Sequence, residues 1–247
     1  MLAYLLFLLM GLTLGLIGAG GSILTIPILI YVVKIPVVLS TTYSLFIVGI
    51  SAAFGVVRHW RIIAYQQALL FALPSLSAVS LVRYFIVPHL KCDDLLIGLL
   101  LAVMLLAAYF MTRTKTLTTQ VFQLSVASVL KTTFLGFSLG TTMGLLGAGG
   151  GFLIVPTLVL VLGVPIKQAV ATSLFIITLN SGAGFLFDKS SLSLSDYQSL
   201  LFFIMWALIG MLLGLKFSTK ISADYLKKAF AGLVVAVALA ISIKQYS

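Results

Sequence analysis

Charged residues in this chain gather in short clusters, and long apolar stretches fill the gaps between them. Residues 38–57 run apolar up to Arg58, His59 and Arg61. Residues 63–87 run apolar with Arg83 near their end, and residues 95–111 follow a loop holding Lys91, Asp93 and Asp94. Residues 166–187, 197–217 and 226–243 have the same character. Apolar segments of about 18 or more residues read as membrane-spanning helices, so each of these six is expected to cross a bilayer.

The N-terminal segment follows a different pattern. Residues 2–18 are apolar but end in Gly18-Ala19-Gly20-Gly21. Three glycines in four residues cost a helix roughly 3 kcal/mol relative to alanine. Pro27 then favours the first turn of a new helix and disfavours helix at Ile26. Residues 19–26 are expected to be partly unwound, with a short helix from about Pro27 to Val33, ended by Pro36. A single helix over residues 2–33 would be about 48 Å long, against a hydrocarbon core of about 30 Å. Two shorter legs joined by a glycine bend inside the membrane fit better.

The whole arrangement is written twice. Gly15–Ser22 (GLIGAGGS) returns as Gly144–Gly151 (GLLGAGGG). At the same offset Pro27 matches Pro156, Pro36 matches Pro165, Ser44-Leu45-Phe46 matches Ser173-Leu174-Phe175 and Gly55 matches Gly184. After a slip of two positions Gln67 matches Gln198, Phe71 matches Phe202 and Asp93 matches Asp224. The chain therefore reads as two repeats, residues 1–111 and 131–247, joined by a linker at 112–130. The linker starts polar, with Arg113 and Lys115, and is read as an interfacial helix. A second broken hairpin is expected at about 131–163. Residues 2–18 align with 131–147, so they belong to the fold and are not a signal peptide.

Composition strengthens this picture. Of 247 residues 62% are apolar and 8% charged, which is too little polar surface for a soluble protein of this size. The net charge of +10 would point to nucleic acid in a soluble domain. In a membrane protein it reflects Lys and Arg at cytoplasmic helix ends, and no nucleic-acid partner is expected. There is no Glu, the five Asp residues lie in or beside predicted loops, and Cys92 is the single thiol. Neither a disulfide, a metal site nor a cofactor site can be assembled from this set, and the missing paired carboxylates, ligand clusters and nucleophile triads argue against an enzyme.

Charge also discriminates between topologies. If residues 2–33 cross once, the repeats are parallel and the basic residues divide evenly between the faces. If they form a hairpin, the repeats are inverted. One face then carries Arg58, Arg61, Arg113, Lys115, Lys131, Lys167, Lys216, Lys220, Lys227 and Lys228, and the other Lys34, Arg83, Lys91, Lys189 and Lys244. That bias places the richer face in the cytoplasm and both termini outside.

Three readings of the glycine motifs compete. A nucleotide-binding loop is rejected, because no Lys-Ser/Thr follows and no βαβ unit surrounds it. Close helix packing explains Gly11 and Gly15, and Gly136, Gly140 and Gly144, at four-residue spacing. For the breaks themselves a third reading is favoured. Irregular backbone at membrane depth lines a cavity or is buried, and broken helices in inverted repeats carry substrate near the midplane. Helix N-termini there attract anions without a charged side chain. The expected cradle is Gly18, Gly20, Gly21 and Ser22 facing Gly147, Gly149, Gly150 and Gly151. Ser44, Ser51, Thr172, Ser173 and Asn180, with Thr42 nearby, are candidates to complete it, although membrane Ser and Thr more often bond their own helix backbone. His59 aligns with Asp188 at a helix end, where an interfacial role is expected for both.

With GLIGAGGS and Pro27, GLLGAGGG and Pro156, and the Thr172-Ser173-Leu174 helix start, the chain resembles the sulfite exporter TauE/SafE family of membrane permeases. The resemblance spans essentially the whole chain. It implies a multi-pass plasma-membrane transporter without enzyme activity, moving small sulfur-containing anions such as sulfite or organosulfonates. The expected protein is an all-α polytopic membrane protein of two inverted repeats, with the lipid bilayer and a small anion as its partners. An anion channel on the same scaffold and an accessory membrane subunit are the alternatives.

Overall fold

The computed structural model describes residues 2–18, 21–90, 93–113, 126–147, 151–190, 192–218, 232, 234–239 and 241. The predicted cradle residues Gly20, Gly149 and Gly150, the thiol of Cys92 and residues 114–125 of the linker lie outside this set. Among the described residues all regular structure is helical.

The part of the chain expected as the first repeat contains α1 (Leu2–Ile17), α2 (Gly21–Pro27, continuing as a π-helical turn Ile28–Val33), α3 (Val37–His59), α4 (Tyr65–Leu81) and α5 (Asp93–Arg113). The part expected as the second contains α6 (Val126–Leu146), α7 (Gly151–Leu160), α8 (Ile166–Leu186) and α9 (Leu194–Ser218). Residues 234–239 are helical within the predicted last span. Among the described residues, five helical segments are long and apolar enough to cross a membrane: Val37–Ile62, Tyr65–His89, Ser128–Leu146, Ile166–Leu186 and Asp196–Phe217. Their outward faces are greasy; Leu73, Phe85, Phe134, Leu201 and Met205 are all exposed, as lipid-facing surfaces require. Of the residues expected as the linker, 112–113 end α5 and 126–130 begin α6.

The predicted break is present at Gly18, and so is its twin at Gly147, but residues 21–26, expected to be partly unwound, are helical: the second leg starts at Gly21 and not at Pro27. Gly18 and Gly147 both take left-handed backbone, with φ of +75° and +63°. Each donates its N–H to the carbonyl four residues back, Leu14 and Met143, at 2.8 Å. This is the αL cap that ends a helix where an L side chain would be strained. The chain then reverses: a Cβ on Gly21 would overlap the carbonyl oxygen of Met10 and crowd Leu14. In a continuous helix residues 10 and 21 would be about 16 Å apart, so α2 folds back along α1 and the single-crossing helix is excluded.

The second bend repeats too. Ile35 N–H bonds Leu29 O, and Val164 N–H bonds Leu158 O, both at 3.0 Å. The residue between is left-handed in each half, Lys34 at +64° and Gly163 at +63°. Each bond spans one residue more than a Schellman turn closes, and the left-handed position holds lysine in one half and glycine in the other.

Packing between halves follows an exchange. Helix α1 runs alongside α9, and α6 alongside α4. Cβ atoms on Gly11 and Gly15 would overlap the carbonyls of Ala207 and Met211, and ones on Gly210 and Gly214 those of Leu8 and Leu12. Gly136 and Gly140 meet the carbonyls of Phe71 and Ser75 in the same way, and Gly144 meets Val82. The pairings advance together, so both helix pairs are parallel and packed backbone to backbone, as the small-residue spacing predicted. At the centre α3 lies against α8. Gly184 meets Leu45, Gly49 meets Ser181, and Gly55 meets Leu174. As one index rises the other falls, so α3 and α8 are antiparallel.

Candidate functional site

The antiparallel seam fixes where the breaks lie. Gly18 packs on Val170 near the start of α8, and Gly147 packs on Thr41 near the start of α3. These are equivalent contacts in the two repeats, but the starts of antiparallel helices lie at opposite ends. Gly55, which meets Leu174 one turn beyond Val170, is fourteen residues from Thr41, about 21 Å along the helix. The expected single cradle, with Gly18 and Gly21 facing Gly147 and Gly151, is therefore not formed. Each break docks on the other repeat's core helix, and the length of that helix separates them.

The predicted side chains divide between structural partners and open ones. Thr172 accepts the Ala64 N–H through its hydroxyl at 3.0 Å and so fastens the start of α4 to α8. Ser173 donates at the first break, 3.0 Å from Gly18 O and 2.8 Å from its own-helix Val170 O. Asn180 accepts from Ser75 Oγ at 3.0 Å, and its Nδ2 lies 3.6 Å from Met143 Sδ. Gly21 and Ser22 are buried in the first hairpin, and Gly151 is buried at the start of α7. Ser44 and Ser51 are fully buried, as is Ser181, and the hydroxyls of all three lack a hydrogen-bond partner among the described residues. Thr41, Ser44 and Ser51 fall on one stripe of α3 by helical spacing, while Ser173 and Asn180 share a stripe of α8. The seam thus carries a buried polar line from one break toward the other.

Two residues expected at the membrane surface lie inside. Arg83 has 0% exposure and the Asp188 side chain 4%, and they form an ion pair at 2.6 Å between Nη1 and Oδ2. Arg83 Nη1 also donates to Thr41 Oγ1 at 3.0 Å. Thr42 Oγ1 donates to Asp188 Oδ2 at 3.0 Å, and the Ser190 N–H donates to Oδ1 at 2.8 Å. The reason is local: α4 passes into a π-helical turn at Val82–Ile86, while Leu81, Tyr84, Phe85 and Ile86 face outward. That extra-wide turn aims Arg83 at the second break, where a Cβ on Gly147 would overlap its Nη2. Removing either member of such a buried pair costs about 3–5 kcal/mol. The cue was present in the sequence: Arg83 is the sole Lys, Arg, Asp or Glu between residues 65 and 90, and an ionisable residue inside a span is a functional candidate by default. His59, aligned with Asp188, stays at the opposite end of α3, its Nδ1 3.3 Å from Gly55 O. Beside Thr41, a cavity of about 10 Å³ also reaches Ile26, Val37 and Leu146; it is water-sized.

Apolar spans, paired helix breaks and a buried polar seam holding an ion pair define a multi-pass α-helical membrane protein of the transporter class. The comparisons agree: residues 3–241 match the sulfite exporter TauE/SafE family. The chain belongs to that family, whose members are membrane transporters and not enzymes. A probable membrane transporter protein of Xylella fastidiosa (strain Temecula1) is 30% identical over 243 residues, covering 94% of this chain and 90% of the relative. The probable membrane transporter protein YdhB of Bacillus subtilis (strain 168) is 26% identical over 252 residues, covering 95% of this chain and 99% of the relative. No solved structure matches the chain.

Proposed function

We propose that this protein is a secondary transporter of a small sulfur-containing anion, such as sulfite or an organosulfonate, in the plasma membrane. The two repeats are inverted, and the substrate passes along the α3–α8 seam between the two glycine breaks. The observation that carries this reading is the antiparallel seam with a break docked at each end. A twofold axis that exchanges two antiparallel spanning helices lies perpendicular to them, hence in the membrane plane, the geometry of inverted-repeat transporters. Arg83 is buried, so it leaves the surface count. The charge bias becomes ten against the four of Lys34, Lys91, Lys189 and Lys244, which supports a cytoplasmic α3–α4 turn. Substrate binding combines the amide-rich breaks with the serine hydroxyls of the seam.

The test is flux of sulfite, sulfate, thiosulfate, taurine and sulfoacetate into liposomes containing the purified protein. Saturable uptake of sulfite or a sulfonate, stimulated by the same anion trapped on the far side, is the expected result. Uptake that neither saturates nor responds to counterflow would identify an anion channel instead. No flux of any of the five would end the sulfur-anion reading.

A further inference from the structure

The Arg83 guanidinium is only half used. Asp188 and Thr41 occupy Nη1, while Nε and Nη2 are buried and without a partner among the described residues. These two nitrogens form the side edge of the guanidinium, where two N–H bonds run parallel and match a pair of oxygens on one anion. The edge is aimed at the glycine break, because Nη2 occupies the space a side chain at Gly147 would need. Ser44, one turn from Thr41 on the same stripe of α3, adds a buried hydroxyl without a partner among the described residues. Among the described residues, the positions equivalent to Arg83 and Ser44 at the other end carry no such groups. The counterpart of Arg83 is Gly214, packed against Leu12, and the counterpart of Ser44 is Ser173, bonded to Gly18 O.

We propose that Arg83 is the substrate contact at the second break, binding two oxygens of a sulfite or sulfonate head group through its free Nε–Nη2 edge while Asp188 competes for the same charge from Nη1. This rests on the transporter reading above and assigns its charged contact. The incoming anion and the Asp188 carboxylate compete for one cation. Asp188 also receives Thr42 and so holds the end of α8 to the start of α3. Binding therefore loosens a latch at one end of the seam. Nearby, Lys189 is engaged elsewhere, with its ammonium over the Tyr84 ring at 3.8 Å.

The experiment compares wild type, Arg83→Lys, Asp188→Asn and the Arg83→Gln/Asp188→Asn double variant. The probe is sulfite at constant ionic strength, read by liposome counterflow and by thermal shift of the purified protein. The double variant removes both charges, so it keeps the interior neutral and fold-competent. It is expected to lose sulfite-dependent stabilisation and at least 90% of flux. Arg83→Lys, a charge without the fork, should raise the half-saturating sulfite concentration about tenfold. Asp188→Asn should show a larger sulfite-induced thermal shift than wild type, because the freed guanidinium gains its counterion from solution. A purely structural ion pair predicts the opposite: the double variant recovers transport, and the lysine variant keeps wild-type affinity. Either result overturns the assignment of Arg83 while leaving wild-type transport intact. Failure of wild type itself to move or bind sulfite overturns the assignment, and failure with all five anions overturns the sulfur-anion reading as well.

Discussion

At the scale of single residues, the same backbone geometry serves both repeats with different side chains. Lys34 sits in left-handed backbone at the turn where its counterpart is Gly163. A non-glycine residue there costs roughly 1 kcal/mol, so Lys34→Gly should stabilise the protein by about that amount, seen as a raised thermal midpoint in detergent. Gly21 illustrates a glycine whose role the sequence left open. It read as a place for ligand approach, yet the space a side chain would need belongs to the Met10 carbonyl. Gly21→Val would damage the hairpin before any substrate contact, which makes it a poor probe of binding. Arg83 was legible as a charge in an apolar run but not as a buried one. Its inward aim depends on the π-helical turn at Val82–Ile86, and no spacing rule announces that turn.

At the scale of helices, the apolar pattern located α3, α4, α8 and α9 and the helix ends at Gly18 and Gly147, because each depends on residues near in sequence. It did not reveal which end of a helix from one repeat meets the other. That register comes from close contacts such as Gly49 on Ser181 and Gly184 on Leu45, and so the predicted meeting of the two breaks failed. The glycine-faced pairs α1–α9 and α4–α6 yield a direct test. A methyl at Gly140 would overlap the Ser75 carbonyl, and overpacking of this kind costs typically 1–3 kcal/mol. Gly140→Ala should lower the thermal midpoint and the monodisperse fraction in gel filtration. Gly98 has open space around its Cβ position. Gly98→Ala on α5 should be neutral or stabilising by up to about 1 kcal/mol.

At the scale of the whole molecule, orientation is the property most open to measurement. Trp60 is exposed at the α3–α4 turn, and Lys189 is exposed just beyond α8. The antiparallel seam sets these sites at opposite ends, and the charge bias assigns the first to the cytoplasm. In a Cys92→Ser background, an impermeant maleimide applied to intact cells should label Lys189→Cys at once. It should label Trp60→Cys only after the membrane is opened. The reverse pattern would invert the orientation, and labelling of both from outside would contradict opposite placement.

The exchanged packing of α1 on α9 and of α6 on α4 has a consequence for how the polypeptide is made. Each half lends its first helix to the other, as two identical subunits do when they trade arms. The halves are then held together by helix packing, with the covalent join falling within residues 114–125. Two separately translated pieces, one ending and one starting in that stretch, should find each other in the membrane and restore uptake, whereas either piece alone should be degraded. The helix-sharing also leaves the two ends free to differ: because both halves travel in one chain, Arg83 at one end faces no need for a second arginine at Gly214, and a charge at one end has no copy at the other.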